Sequence, residues 1–470
     1  MKKTNFLNGI AEFNSKYWLL NLIQMTERLS YYIVIIQLPI YIAQKDAPGG
    51  LHWDQAVKGM IFFVWAMVQN LTPVITGGLA DRYGRKNFML ISYFLVIAGF
   101  IILGSQRDFW PFLTGALILG VGLGTFKPAL QGSVASILKS GNAAIGWGIY
   151  VMLINIAVFA GGPFSKFLKS FSWEMVFYGA AIVFSLNFIL TIFLKDNHTR
   201  RDFPLSRVVI HSFKNVFTLK IGLFVILMSG FTIIYMQFYE TLPNFIYDWS
   251  DTGSVASFFS LPSFMTFETP LGEVISYEWL YNINSGLIII GVVFFSWIFS
   301  KFKMQTGLIA GILISAAGLT LAGFTMYGAL LMAGMMVYTV GEMITNPKFN
   351  EFMGRIAPEE DRSLFMGYMN ISWAIGLGGG SLLGGWLYQK LGEKSGFAIQ
   401  YLKDNFGLTN INHNEALEKM SSTMNISRLE ASKILWQEYD PWMVWIPFLI
   451  IGIAAAFGLA IYSKLLLKNE

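Results

Sequence analysis

Runs of about 20 mainly apolar residues recur along the whole chain, most of them separated only by short polar turns, and leave it one solvent to fold in. A helix needs about that length to cross ~30 Å of hydrocarbon. About twelve such runs occur, near 17–43, 56–78, 88–105, 111–136, 143–168, 173–194, 221–246, 281–300, 305–325, 328–353, 362–390 and 441–465. In lipid every backbone polar group must be paired internally, so only helices or closed barrels can span. The period-2 alternation of a barrel is absent, and the expected fold class is an all-α membrane protein with twelve transmembrane helices. Composition agrees, since 54% of the 470 residues are hydrophobic and only 13% are charged, where a soluble chain typically has about 25% charged.

Lys and Arg in the short loops give the orientation. With the N-terminus in the cytoplasm, the cytoplasmic turns hold Arg82, Arg85 and Lys86; Lys139; Lys195, Arg200, Arg201, Arg207, Lys214 and Lys220; Lys301 and Lys303; and Arg355 and Arg362. The loop near 247–280 holds Asp248, Asp251, Glu268, Glu273 and Glu278 without a Lys or Arg, and is expected outside. Both termini are then cytoplasmic, in a multi-pass protein of the cell membrane. The N-terminal stretch lacks a small-residue cleavage site, so the first span is expected to be retained as the targeting signal. The basic stretch 195–220 reads as a cytoplasmic linker between an N-terminal six-helix bundle (1–194) and a second one (221–470). Within the second, the external segment 391–440 reads as a solvated cap rather than a lid.

The same composition bounds function. The net charge of +5 is accounted for by these loops, with no basic helix or aromatic motif for nucleic acid. There is no cysteine, and His52, His198, His211 and His413 fall in loops without metal-ligand spacing, so neither metal nor cofactor is expected. A membrane enzyme would need a nucleophile, a metal or a paired acid and base in the bilayer, and these runs offer neither Cys nor His. No G-x-x-x-x-G-K-[ST] loop is present to bind ATP, and energy is expected from a gradient. A channel or a receptor on a transporter scaffold stays open as an alternative. Gly376, Gly378, Gly379, Gly380, Gly384 and Gly385 lie inside a span and read as close helix contact rather than a phosphate loop.

Charges inside a span are costly and usually mark function. In the first span Gln24, Glu27, Arg28 and Tyr31 share one helical face through i, i+3, i+4, i+7 spacing. At ~1.5 Å per residue Glu27 sits near the midplane. Lys127 lies in the fourth span and Glu342 in the tenth, at similar depth in matching helices of the two halves. Opposite charges so placed can pair across a central cavity and gate it, or can form a permanent lock between helices.

The turn after the second span reads Gly77-Gly78-Leu79-Ala80-Asp81-Arg82-Tyr83-Gly84-Arg85-Lys86. It resembles the signature of the major facilitator superfamily, and the six-plus-six layout extends that resemblance over the chain. Within it, Glu27-Arg28 with Tyr31-Tyr32, Lys127-Pro128, Tyr150 with Ile154-Asn155, Glu240, Asn284, and Gly341-Glu342-Met343 with Pro347 and Ala357-Pro358 resemble the proton-dependent oligopeptide transporter family. That resemblance implies substrate contact by Tyr31, Tyr32, Lys127, Asn155, Asn284 and Glu342, with Lys127 at a peptide carboxylate and Glu342 at its amino end. It implies proton coupling by Glu27, Arg28 and Glu342, and gating by Lys127, Glu240 and Glu342. The expected activity is proton-coupled uptake of di- or tripeptides or similar zwitterions by a monomer in the bilayer. Three positions depart from the pattern: Gln24 stands for a Glu, Ile35 for an Arg that would pair with Glu240, and Ala157 for a Gly.

Overall fold

The computed structural model describes residues 13–138, 143–194, 219–269, 272–300, 303–356 and 362–466. Lys139, the linker stretch 195–218 with His198 and His211, Lys301 and Ala357-Pro358 lie outside them. The first half holds α1 (Ser15–Ile35), a short α2 (Leu38–Ala43), α3 (Gln55–Tyr83), α4 (Arg85–Ser105), α5 (Phe109–Ala135), α6 (Ala143–Lys169) and α7 (Trp173–Ile192). After the linker come α8 (Leu219–Trp249), α9 (Gly253–Phe258), the strands β1 (Thr266–Thr269) and β2 (Gly272–Ile275), and α10 (Tyr277–Ser300). The chain continues through α11 (Met304–Gly323), α12 (Gly328–Ile356), α13 (Arg362–Leu391), α14 (Lys394–Phe406), α15 (Ala416–Met424), α16 (Arg428–Tyr439) and α17 (Ile446–Leu466). A long helix thus occupies every expected span, and nine of these are apolar enough to cross a bilayer by hydropathy among the described residues.

The first expected run, 17–43, is broken. Proline at position 39 has no N–H to give to the carbonyl of Ile35 and its ring clashes there, so α1 stops at Ile35 and Pro39 heads the next helix. The loop expected between 247 and 280 also contains structure. Its two strands pair antiparallel with Thr266 opposite Ile275. Two of its acids are not loop residues: Asp248 lies in the last turn of α8 and Glu278 in the first turn of α10, both buried.

The contacts divide the chain into two compact units, residues 1–36 with 64–222, and residues 37–63 with 223–470. In the first unit α1 packs on α6 and α7, and α4 on α5 and α7. Asn14 begins α1 by accepting from the Tyr17 N–H at 3.0 Å. Small residues set the α4–α5 spacing, since a Cβ on Gly122 would come within 2.7 Å of Val96. Without a hydrophobic force between helices in lipid, such close packing is what holds them. Behind it, Phe184 meets Tyr93 edge-on at 5.6 Å and Phe126 edge-on at 6.2 Å, a geometry worth about 1 kcal/mol per pair. Phe94, Ile182 and Ile192 project outward, more than 60% exposed, as a lipid-facing surface requires.

In the second unit α11 packs along α12 and α17, and α10 on α12. A side chain on Gly318 would strike the Tyr338 backbone, and one on Gly376 would strike Thr232. Gly376, Gly380, Gly384 and Gly385 of α13 therefore serve close helix approach, whereas a Cβ on Gly379 would meet nothing within 4 Å. Residues 391–440 fold as three short helices on this unit. Phe397 stacks on Tyr439 at 4.7 Å, and Trp249 meets Trp436 at 5.6 Å while donating from its indole to the Gly392 carbonyl at 2.8 Å. Ser427 and Glu430 close a capping box at the start of α16.

Candidate functional site

The first unit carries a charged face on α1. Its helical spacing stacks Gln24, Glu27 and Arg28 into one network. Arg28 donates from Nε to Glu27 Oε2 at 2.5 Å and from its second nitrogen to Oε1. Gln24 Nε2 donates to the same Oε2 at 2.9 Å, and Tyr150 on α6 donates from its hydroxyl to Gln24 Oε1 at 2.6 Å. Glu27 is wholly buried, and breaking such a pair by removing one partner costs about 3–5 kcal/mol. The Arg28 guanidinium also lies 4.9 Å over the Tyr31 ring, which meets Tyr32 edge-on at 5.2 Å. Gly161 on α6 makes room for Tyr32, where a Cβ would approach to 2.9 Å. Lys127, one residue before the helix-internal Pro128 of α5, is exposed and within electrostatic reach of Arg28 and Glu27. Asn155 is half-buried and donates back to the Val151 carbonyl at 2.9 Å.

The turn after α3 is built as its residues suggest. Gly84 has φ 105°, a backbone that side chains rarely adopt, and this lets α4 start at once. Arg85 donates to the Gly132 carbonyl on α5 at 2.6 Å, and Gly77 faces Pro128. The side chains of Asp81 and Arg82 lie outside the described residues.

In the second unit the carboxylate of Glu342 is buried on α12 and held by neighbours on two helices. Asn284 on α10 donates to its Oε2 at 2.8 Å and to Thr339 Oγ1 at 3.0 Å, and Asn346 reaches Oε1 at 3.4 Å. Tyr239 and Tyr338 are within electrostatic reach of the same carboxylate. Aromatic rings pack behind it, with Phe238 stacked on Tyr338 at 4.4 Å and Tyr239 edge-on to Tyr281 at 5.6 Å. The unit thus presents an anion and π-faces together, a set suited to a cationic group.

Glu240, for which Ile35 leaves no arginine, has a different countercharge. Lys58, fully buried near the start of α3, acts on it, and Ser381 lies beside it. The Lys58 ammonium donates to the Glu240 carbonyl at 3.0 Å and to Asn244 Oδ1 at 2.8 Å. From there the amide of Asn244 donates to Gln44 at 3.0 Å, and Gln44 donates to Asp248 at 2.6 Å and to Asp46 at 2.8 Å. Tyr388 donates to the other Asp248 oxygen at 2.6 Å. Lys58 was not among the expected site residues, because a lysine two residues inside the edge of an apolar run reads as a boundary charge. The available signal was the buried acid itself, which requires a partner. Outside the spans, burial pushes the Glu393 carboxyl up to about 7, with Lys45 opposing and Asp248 and Asp54 adding to the rise. No cluster of three or more metal-ligating His, Cys, Asp or Glu occurs among the described residues.

Comparison with known proteins bears on this arrangement. The family model described as Major Facilitator Superfamily matches residues 20–272 and 269–401. The chain is similar to "Multidrug resistance protein MdtH" of Salmonella paratyphi B and of Salmonella newport, 20% identical over 378 residues, covering 79% of this chain and 86% of each relative. Among solved structures it is similar to a POT family transporter in complex with a thioalcohol-conjugated peptide, with 16% identity and TM-score 0.67 over 95% of this chain and 96% of that one. It is also similar to a POT family transporter in complex with 5-aminolevulinic acid, with 15% identity and TM-score 0.67 over 94% and 98% of the two chains. A third is a bacterial homologue of the human drug peptide transporters PepT1 and PepT2, with 15% identity and TM-score 0.63 over 96% and 97%. With twelve long helices among the described residues and a family match over most of its length, this chain belongs to the major facilitator superfamily of membrane transporters.

Proposed function

We propose that this protein is a secondary transporter of peptide-like zwitterions, working by alternating access and driven by protons. The observation that carries the reading is the buried Glu342 carboxylate, held by Asn284 and backed by tyrosines. A membrane protein keeps such a charge at a cost of several kcal/mol unless it serves the transported solute or ion. Glu342 receives the substrate ammonium group, and the exposed Lys127 receives its carboxylate. Tyr31, Tyr32, Asn155 and Asn284 also contact the substrate. Glu27 and Arg28 couple a proton to this cycle, and Glu240 with Lys58 takes part in gating. Solved structures similar to this chain that hold a conjugated peptide and 5-aminolevulinic acid support the substrate class. Both termini lie in the cytoplasm, where the basic turns stay, and the protein works as a monomer.

Two truncations test the roles. Lys127→Ala and Glu342→Ala should each reduce dialanine uptake into proteoliposomes at least tenfold while leaving the thermal unfolding midpoint within a few degrees. Full uptake by either variant would remove that residue from the substrate site. A second reading, movement of another small solute or drug, is favoured by the multidrug resistance proteins among the relatives and by Gln24. It predicts transport of an apolar cation where dialanine fails.

A further inference from the structure

A cavity in the second unit, away from Glu342, lies between the turn after α2 and the start of the 391–440 cap. Its walls include Gln44, Asp46, Gln55, Asp248, Glu393 and Lys394. The empty volume, open solvent at its mouth included, is about 360 Å³. Two of its wall residues carry polar atoms with nothing to bond. Oε1 of Glu393 and Oε1 of Gln55 are buried acceptors without a hydrogen-bond partner, in side chains 5% and 1% exposed. Leaving a buried acceptor unmet costs about 1–3 kcal/mol, more for a charged one. Both therefore call for a donor, and both residues line this cavity.

The other charges of the wall are already engaged. Asp248 accepts from Gln44 and Tyr388, and Asp46 from Gln44. Lys45, at the rim, is paired with Asp54 at 2.9 Å and also donates to the His52 carbonyl, while Lys394 lies 5.6 Å over the Trp249 ring. Three carboxylates (Asp46, Asp248 and Glu393) thus face two ammonium groups that have their own partners, and the residual charge is negative. A bare metal ion is the wrong match, since no metal-ligating cluster forms among the described residues. Two separated acceptors, one of them anionic, match the several N–H donors of a compact ammonium group.

We propose that this cavity binds a protonated primary amine, with Glu393 as its countercharge and the Gln55 side-chain carbonyl as a second acceptor. The site is independent of what the transport pathway carries. Its cap residues come from the segment between the eleventh and twelfth long helices, and its other wall from the turn between α2 and α3. An amine held there ties the two together through hydrogen bonds that neither makes alone.

Isothermal titration calorimetry on the purified full-length protein in detergent at pH 8 tests this with methylammonium chloride at fixed ionic strength. The expected result is saturable binding of methylammonium, weakened at least tenfold in Glu393→Gln and in Gln55→Met. Tetramethylammonium, which has the charge but no N–H, should bind at least tenfold more weakly. Absence of saturable methylammonium binding to the unmodified protein would overturn the proposal. So would unchanged affinity in both cavity variants, which would place the amine elsewhere, or equal binding of sodium or tetramethylammonium.

Discussion

Gln24 differs from a glutamate by one amide, yet it sits at the centre of the first unit's charged network. It donates to Glu27 and accepts from Tyr150, so it can hold the Glu27–Arg28 pair without competing with it for a cation. A second carboxylate there would repel Glu27 at hydrogen-bond distance. Under the proposed coupling role of Glu27, Glu27→Gln should preserve counterflow exchange of labelled dialanine while abolishing accumulation driven by a proton gradient. Unchanged accumulation would assign coupling elsewhere. At the cap, Glu393 carries a different pH signature. Its carboxyl is raised by burial to about 7, so between about 4.5 and 7 the folded protein keeps a proton that the unfolded chain releases. Stability therefore falls as pH rises through that window, by an order of magnitude of 2–3 kcal/mol. Glu393→Gln should flatten this slope, measured as the unfolding midpoint at pH 5 and pH 7.5; an unaltered slope would contradict it. Charges such as Glu27, Arg28, Lys127 and Glu342 were legible in the sequence because each interrupts an apolar run. The partners of Glu240 and Asp248 were not: Lys58 and Gln44 lie about 200 residues away in sequence, and burial rather than pattern identifies them.

Among the elements, helix edges follow the apolar runs within a few residues, since desolvation sets both. The exceptions have local causes. Pro39 ends the first helix early, and the 266–275 hairpin is too short and polar for a hydropathy pattern to register. Glycine spacing carries more than it shows in sequence: α4 and α5 touch because Gly99, Gly115 and Gly122 remove side chains at the crossing. Gly122→Leu should push Val96 away and destabilise the first unit by about 1–3 kcal/mol, as overpacking does. A lowered unfolding midpoint checks this; an unaffected midpoint would mean that the helices part without cost. The cap helices depend instead on aromatic contacts among Trp249, Phe397, Trp436 and Tyr439.

At the scale of the whole molecule, six long helices on each side of the linker, and a charged site in each unit, give the chain the parts that a secondary transporter needs. The sequence expectation put the boundary at 195–220, while contacts join residues 37–63 to the second unit. That grouping was illegible beforehand because Gln44 and Lys58 find their partners on α8 only once the chain is folded. The central claim is that a proton gradient moves a peptide-like zwitterion through this protein. Uptake of labelled dialanine into liposomes containing the purified protein, with and without an inward proton gradient, tests it most directly. Accumulation above equilibrium only with the gradient is the predicted result; equilibration without accumulation would contradict the coupling, and no uptake at all would contradict the substrate class.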